Sequence, residues 1–266
     1  MERIDKIISS QTNYSRKDVK KLISQKKIRV NDEIVKRPEQ KVNEQQDAIY
    51  IDENKLDMKK NIYLVLNKPQ GYISTTEDKT AKTVLDLVPE QYIRKGLFPA
   101  GRLDKDTTGM MIITDDGEFA HNILAPRKHI EKTYRVQIDI DITEEMKEKF
   151  KQGIVLKDHV CCPATIVVEN KNTALITITE GKYHQIKRMF GCFGAKVVRL
   201  HRISMGGLQL PSDLIEGKCR ELTAEELEKV CIRDIKIDEN LHIEISPRPQ
   251  YIGELLKEAV KAEMER

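Results

Sequence analysis

The stretch Glu53 to Asn61 (ENKLDMKKN) constrains this chain most, because it is polar and charged and separates two segments with different hydrophobic rhythms. A segment without a continuous apolar face does not seed a core, so one core must form before it and another after it. With 266 residues there is material for a small module and a larger domain. Before the break, Ile4, Ile7 and Ile8 recur at helical spacing. Ser15 suits the N-cap of a second helix whose apolar face is Val19, Leu22 and Ile23. Ile28-Arg29-Val30 alternates as a short strand, Asn31-Asp32 is a turn signal, Ile34 continues, and Ala48 to Ile51 closes with another apolar strand. The expected organisation is a module over 1–52, a linker over 53–61, a larger domain over 62–234 and an extension over 235–266.

In the larger domain, strands are expected at Ile62 to Leu66, Met111 to Thr114, Tyr134 to Ile140, Ala164 to Val168 and Leu175 to Thr179. Helices are expected over 116–124, 143–152, 182–192 and 223–231. This interleaving lacks βαβ regularity and any phosphate-binding glycine loop, so it predicts an α+β fold with a mostly antiparallel sheet. In the extension, Ile235 to Ile245 has strand character and Gly253 to Glu265 helical character.

Several function classes drop out. No 18-residue apolar stretch exists, so the expectation is a cytoplasmic protein with no membrane partner. The five cysteines form no CxxC pair and no spacing that joins them to histidine, which predicts reduced thiols and no metal. Charge is uneven. Residues 1–30 carry nine Lys or Arg against Glu2, Asp5 and Asp18, and residues 181–202 carry six and no acid. Residues 221–266 hold twelve acids and seven bases. On the second helix, Arg16, Lys17, Lys20 and Lys21 lie opposite the apolar face, which suits a phosphate backbone.

The densest chemistry is Gly101-Arg102-Leu103-Asp104-Lys105-Asp106-Thr107-Thr108-Gly109, two carboxylates and two cations between glycines ahead of an apolar strand. Taken alone it is a polar turn. Its companions are Lys68-Pro69-Gln70-Gly71-Tyr72, Pro126-Arg127 to Tyr134, Glu180 to Phe190 (EGKYHQIKRMF) and Leu200-His201-Arg202 with Gly206-Gly207.

RIDKII (3–8), SRKDVKKLI (15–23) and IRVND (28–32) resemble an S4 RNA-binding domain, although Lys26-Lys27 stand where that pattern has a glycine. The remaining motifs, in order and spacing, resemble the RsuA family of ribosomal RNA pseudouridine synthases, from residue 1 to about 231. The resemblance implies a pseudouridine-synthase domain with a long mixed sheet, no cofactor, and rRNA as partner. Asp104 falls at the essential aspartate, Tyr134 at the tyrosine that packs on the target base, and Lys187 at the cation paired with the aspartate. The spellings look closest to the small-subunit branch, which acts on uridine 516 of 16S rRNA in a partially assembled subunit. A monomer is the default expectation. A large-subunit 23S enzyme and a non-catalytic assembly factor are the alternatives.

The chemistry fits these residue types. Breaking N1–C1′ leaves positive character on the ribose, which one ionised carboxylate can stabilise, trap as an ester, or relieve by taking a neighbouring proton. A cation such as Lys187 favours the ionised form. Tyr134 offers a flat face and a phenol for proton relay. The uridine must leave its stack, and Arg102 is placed either to hold the vacated space or a phosphate, or to pair with Asp106 or Asp115. Arg127, Lys128, Lys182, Arg188, Arg199 and Arg202 are expected along the RNA backbone. Asp106 is the second carboxylate, and His184 and His201 are read as hydrogen-bonding groups without an acid–base partner.

Overall fold

The computed structural model describes residues 1–232 and, beyond them, only the backbone of Ile235–Ile237 and Ile243–Ile245. The helix expected over Gly253 to Glu265 lies outside the described residues. The chain divides into two compact units, Met1–Ile62 with Val88–Phe98, and Tyr63–Leu87 with the chain from Pro99 on. No described helix is long and apolar enough to cross a membrane.

The first unit packs α1 (Ile4–Gln11) and α2 (Arg16–Ser24) on short strands. These are β1 (Glu2–Arg3), β2 (Ile28–Val30), β3 (Glu33–Ile34), β4 (Lys41–Val42), β5 (Ile49–Ile51) and β6 (Asn54–Lys55). Four of them order as β3-β2-β5-β6, and β1 pairs with β4. The core is Ile4, Ile7, Ile8, Val19, Ile23, Ile28, Val30, Val35, Val42 and Ile49. Part of the expected linker therefore belongs to this unit: Asn54–Lys55 extends its sheet, and Leu56 and Met58 pack on its core. α2 starts where the sequence places it, in a capping box between Ser15 and Asp18.

The missing glycine has a structural counterpart. Lys26 adopts the left-handed conformation (φ 59°) just after α2, where its N–H donates to the Ile23 carbonyl and that of Lys27 to Leu22. This is the helix-terminating geometry that favours glycine, and a side chain there costs about 1–2 kcal/mol. Lys26→Gly is expected to raise stability by about 1 kcal/mol after the entropy glycine loses on folding. A urea unfolding series reads this as a higher midpoint, and a lower midpoint would contradict the assignment.

The second unit is built on one mixed sheet. Its strands are β7 (Tyr63–Lys68), β8 (Phe98–Ala100), β9 (Thr108–Thr114), β10 (Lys132–Ile138), β11 (Thr165–Asn170), β12 (Thr173–Ile178), β13 (Val197–Met205), β14 (Leu208–Gln209) and β15 (Cys219–Glu221). The order is β11-β12-β10-β13-β9-β7-β15, with β14 beside β13 and β8 beside β9. β9 and β13 run parallel, and the pairs β10–β12, β10–β13, β11–β12, β13–β14, β7–β15 and β7–β9 run antiparallel, so the sheet is mostly antiparallel. β7 and β9 are almost wholly buried, as continuous apolar runs should be. Among the described residues, four α-helices accompany the sheet: α3 (Gly117–Leu124), α4 (Glu144–Gln152), α5 (Gln185–Gly191) and α6 (Ala224–Val230). Phe150 of α4 meets Phe190 of α5 with ring centroids 4.9 Å apart. The backbone of Ile235–Ile237 pairs antiparallel with Ile243–Ile245, in the region expected to be strand.

β13 is a strand that the sequence does not announce. Its residues, VVRLHRISM, read as a basic segment, yet it lies inside the sheet between β10 and β9. Gly109 permits this. Its φ is +99°, and a Cβ there would lie 2.3 Å from the Arg202 carbonyl oxygen of β13. The glycine that closes the GRLDKDTTG run is thus required where two strands meet.

Candidate active site

Asp104 sits on the loop between β8 and β9, and that loop is anchored from beneath. Ser74 Oγ donates to the Leu103 carbonyl (2.8 Å) and accepts from the Leu103 N–H (3.0 Å). The Gly71 N–H donates to the Lys105 carbonyl at 2.8 Å. Lys68, at the end of β7, is fully buried and directs its ammonium at the loop backbone. It donates to the carbonyls of Thr107 (2.8 Å), Asp104 (3.1 Å), Pro69 (3.2 Å) and Lys105 (3.4 Å). Burial pushes Lys68 down to about 8, while Asp106 and Asp104 pull the other way.

Above the loop, α5 contributes Lys187, whose Nζ lies 2.9 Å from Asp104 Oδ2 and 2.6 Å from Asp106 Oδ1. Burial acts to lower the Lys187 pKa, but the hydrogen bonds and charges of both carboxylates outweigh it and raise it. Burial likewise acts to raise Asp106, and Lys187 holds it below the usual range. Asp104 and Asp106 differ in exposure, 26% against 60% of the side chain. The more enclosed carboxylate is the one that lines the cleft. Tyr134, on β10, lines the same cleft with 6% of its surface exposed, and its hydroxyl has no hydrogen-bond partner among the described residues. Arg102, Lys182, His184 and Leu200 complete the rim.

α5 is fixed at its start by a buried pair. Gln185 donates to Glu180 Oε1 at 2.7 Å and accepts from the Lys182 N–H at 2.9 Å. His184, at φ 48°, places Nε2 3.4 Å from Asp104 Oδ1. The cleft therefore offers a carboxylate flanked by an ammonium and an imidazole, and is lined also by an aromatic ring with a free phenol. Such a site can stabilise a developing cation on one side and hold a flat base on the other.

Residues 62–191 match the family described as RNA pseudouridylate synthase, and residues 2–47 match the S4 domain. The chain is 40% identical over 231 residues to Ribosomal small subunit pseudouridine synthase A of Escherichia coli (strain K12), covering 86% of this chain and 99% of that one. It is 38% identical over 230 residues to the Bacillus subtilis (strain 168) protein called Uncharacterized RNA pseudouridine synthase YtzG, covering 85% and 96%. A solved structure titled "Crystal structure of pseudouridylate synthase" superposes with a TM-score of 0.61 at 36% identity, over 86% of this chain and all of that one. The chain belongs to the RNA pseudouridylate synthase family. It is an RNA pseudouridine synthase with an N-terminal S4 domain, and the S4 and synthase segments carry the α+β fold expected from sequence.

In this synthase, Asp104, Tyr134 and Lys187 are brought to one cleft, together with Arg102 and Lys182. Arg102 is exposed and pairs with neither Asp106 nor Asp115. Arg16, Lys17, Lys20 and Lys21 lie exposed on α2 of the S4 unit, without ion pairs among the described residues. Arg127 and Arg199 are exposed, and Lys128 is half-buried. Arg188 is engaged by Asp158. Arg202 does not track RNA. It is 2% exposed, and its Nε donates to the Met110 carbonyl at 2.6 Å, so it is a strut between β13 and β9. His184, expected to stand without a partner, has one in Asp104, while His201 bonds Thr108 at 2.8 Å as a structural group.

Lys68 has no assignment from sequence. Besides its place at the head of the Lys68-to-Tyr72 run, its signal is a lysine closing a largely apolar strand (YLVLNK), a position where burial demands satisfied donors. Lys68→Met leaves several loop carbonyls unpaired, and a shift of about 1 Å at a reacting group costs on the order of 100-fold in rate. The expected result is a kcat lowered about 100-fold at unchanged RNA affinity. Titration gives a second signature. Because the folded pKa (about 8) lies below the ordinary 10.5, the buried charge costs stability below pH 8, and that cost disappears as pH rises between the two values. A parallel loss in kcat and affinity would contradict a loop-holding role.

Proposed function

We propose that this chain isomerises one uridine of small-subunit ribosomal RNA to pseudouridine, at uridine 516 of 16S rRNA, with Asp104, Tyr134 and Lys187 as its machinery. It works as a cytoplasmic monomer on a partially assembled subunit. The observation that carries this reading is the Lys187 ammonium 2.9 Å from the Asp104 carboxylate, in a cleft that also holds the unpaired phenol of Tyr134. Relatives that this chain covers over 97% and 99% of their length carry the name Ribosomal small subunit pseudouridine synthase A.

The reaction divides among these groups as follows. The uridine leaves the stack and lies against Tyr134, with C1′ toward Asp104. Arg102, exposed at the rim, occupies the vacated space or holds an adjacent phosphate. As N1–C1′ breaks, the Asp104 carboxylate answers the positive charge on the ribose. Lys187, 2.9 Å away, holds that carboxylate in place. The uracil turns and C5 bonds C1′. The proton lost from C5 is matched by one gained at N1, so the product is an isomer. Tyr134 relays the C5 proton. Arg16, Lys17, Lys20 and Lys21, with Arg127, Lys182 and Arg199, supply phosphate contacts.

Mapping pseudouridine after incubation with partially assembled small subunits, and separately with large-subunit rRNA, tests the target. One new pseudouridine at uridine 516 of 16S rRNA is expected. A single product in 23S rRNA would replace this reading with the large-subunit one.

A further inference from the structure

Away from the groups assigned to catalysis, residues 153–163 fold into a tight hairpin. The Leu156 N–H donates to the His159 carbonyl and the Cys161 N–H to the Ile154 carbonyl, both at 2.8 Å. Gly153, with φ +90°, lets the hairpin close, since a Cβ there would meet the Cys161 carbonyl oxygen at 2.6 Å. The hairpin presents His159 and Cys161 together, with Nε2 and Sγ 3.6 Å apart. Glu180, just beyond β12, completes the group, and the three candidate ligand atoms lie within 4.8 Å of one another. We propose that His159 Nε2, Cys161 Sγ and the Glu180 carboxylate bind a single zinc ion.

Geometry supports this first. Tetrahedral zinc holds sulfur at about 2.3 Å and imidazole nitrogen at about 2.0 Å, which sets those atoms about 3.5 Å apart. The His159–Cys161 separation already matches. The imidazole is also oriented as a ligand. Its Nδ1 faces Asp158 Oδ1 at 3.1 Å, the carboxylate–histidine arrangement that leaves Nε2 as the electron-pair donor. Asp158 is itself held by Arg188.

Charge supports it second. Glu180 is only 7% exposed and has no cationic partner among the described residues. Its Oε1 accepts from the Cys162 N–H at 2.8 Å and from Gln185 at 2.7 Å, while Oε2 has no hydrogen bond among the described residues. A buried carboxylate without a counter-charge is costly, and a divalent cation beside it removes that cost. The Cys161 thiol gives up its proton when it ligates the metal. Binding releases that proton to solvent, and the resulting thiolate and carboxylate together neutralise the ion. The expectation that no cysteine is spaced to join a histidine passes over His159 and Cys161, two residues apart, and the fold alone brings in Glu180. The bound ion would clamp the hairpin to the Glu180–Gln185 pair that starts α5, the helix carrying Lys187.

The test uses the full chain, purified without chelators or metal-affinity resin, with metal content measured by elemental analysis. Protein stripped with EDTA is then titrated with Co(II) and zinc. One equivalent of zinc is expected, with a sulfur-to-cobalt charge-transfer band on reconstitution and a higher Tm with metal than without. Cys161→Ser should lose the band, and both it and His159→Gln should weaken zinc by at least about tenfold. His159→Gln, partly solvent-exposed, guards against misfolding of the buried variant, and His121→Gln should leave binding unchanged. Protein with no zinc and no sulfur-to-cobalt band, or zinc retained equally in both variants, would overturn the proposal.

Discussion

Asp104→Asn is expected to lower single-turnover isomerisation by about 10,000-fold or more, the scale of loss when an enzyme's reacting carboxylate, hydroxyl or thiol is removed. The amide keeps the volume of the side chain, and the loop is held by Lys68, Ser74 and Gly71 through backbone atoms that the substitution leaves alone. Folding should therefore survive. The substitution breaks the ion pair to Lys187, alters the contact with the His184 imidazole, and leaves the loop's backbone hydrogen bonds in place. RNA affinity should hold or rise slightly, since a negative charge disappears from a cleft that receives a polyanion. Single-turnover rates beside filter-binding affinities separate the two effects. A rate within about tenfold of the wild type would remove Asp104 from the chemistry.

Lys187→Met is expected to lower the same rate by about 100- to 1,000-fold, the scale at which removing one preorganised charge partner acts in an enclosed site. The partner is shared, so the variant strips two carboxylates at once of the ammonium that positions them and balances their charge. Asp106→Asn is the discriminating companion. If Lys187 serves Asp104, removing the more exposed Asp106 should change the rate by less than about threefold. Lys187→Arg should recover much of the loss. Stability adds a pH signature: the Lys187 pKa is raised on folding, so its contribution is complete below the ordinary lysine value. That contribution is lost only as pH rises through the higher folded value. The variant should thus differ most from the wild type at neutral pH and converge with it in strong alkali.

Features encoded by neighbours in the chain are readable before any coordinates. The Ser15–Asp18 capping box, the apolar stripe of α2 and the buried runs of β7 and β9 each depend on residues a few positions apart. Tyr134 and Lys187 are legible only through the motif resemblance, since a tyrosine in a strand and a lysine on a helix are ordinary on their own. What escapes a sequence reading depends on distant partners. β13 carries Arg199, His201 and Arg202 and so lacks strand-like alternation, yet Arg202 is buried because the Met110 carbonyl is there to meet it. Val88–Phe98 joins the first unit through Arg94, which donates to Gln11 and to the carbonyls of Lys59 and Lys60. Lys68 follows the same rule, being a charge whose burial is explained by loop carbonyls elsewhere in the chain.

The measurement that tests the central claim most directly is tritium release from C5-labelled uridine in small-subunit rRNA carrying early assembly proteins, counted per RNA with the wild-type protein. Isomerisation frees one C5 hydrogen for each uridine converted. The account predicts release that rises to one tritium per RNA and stops. Tight RNA binding with no release would contradict it and leave a chain that binds rRNA without acting on it.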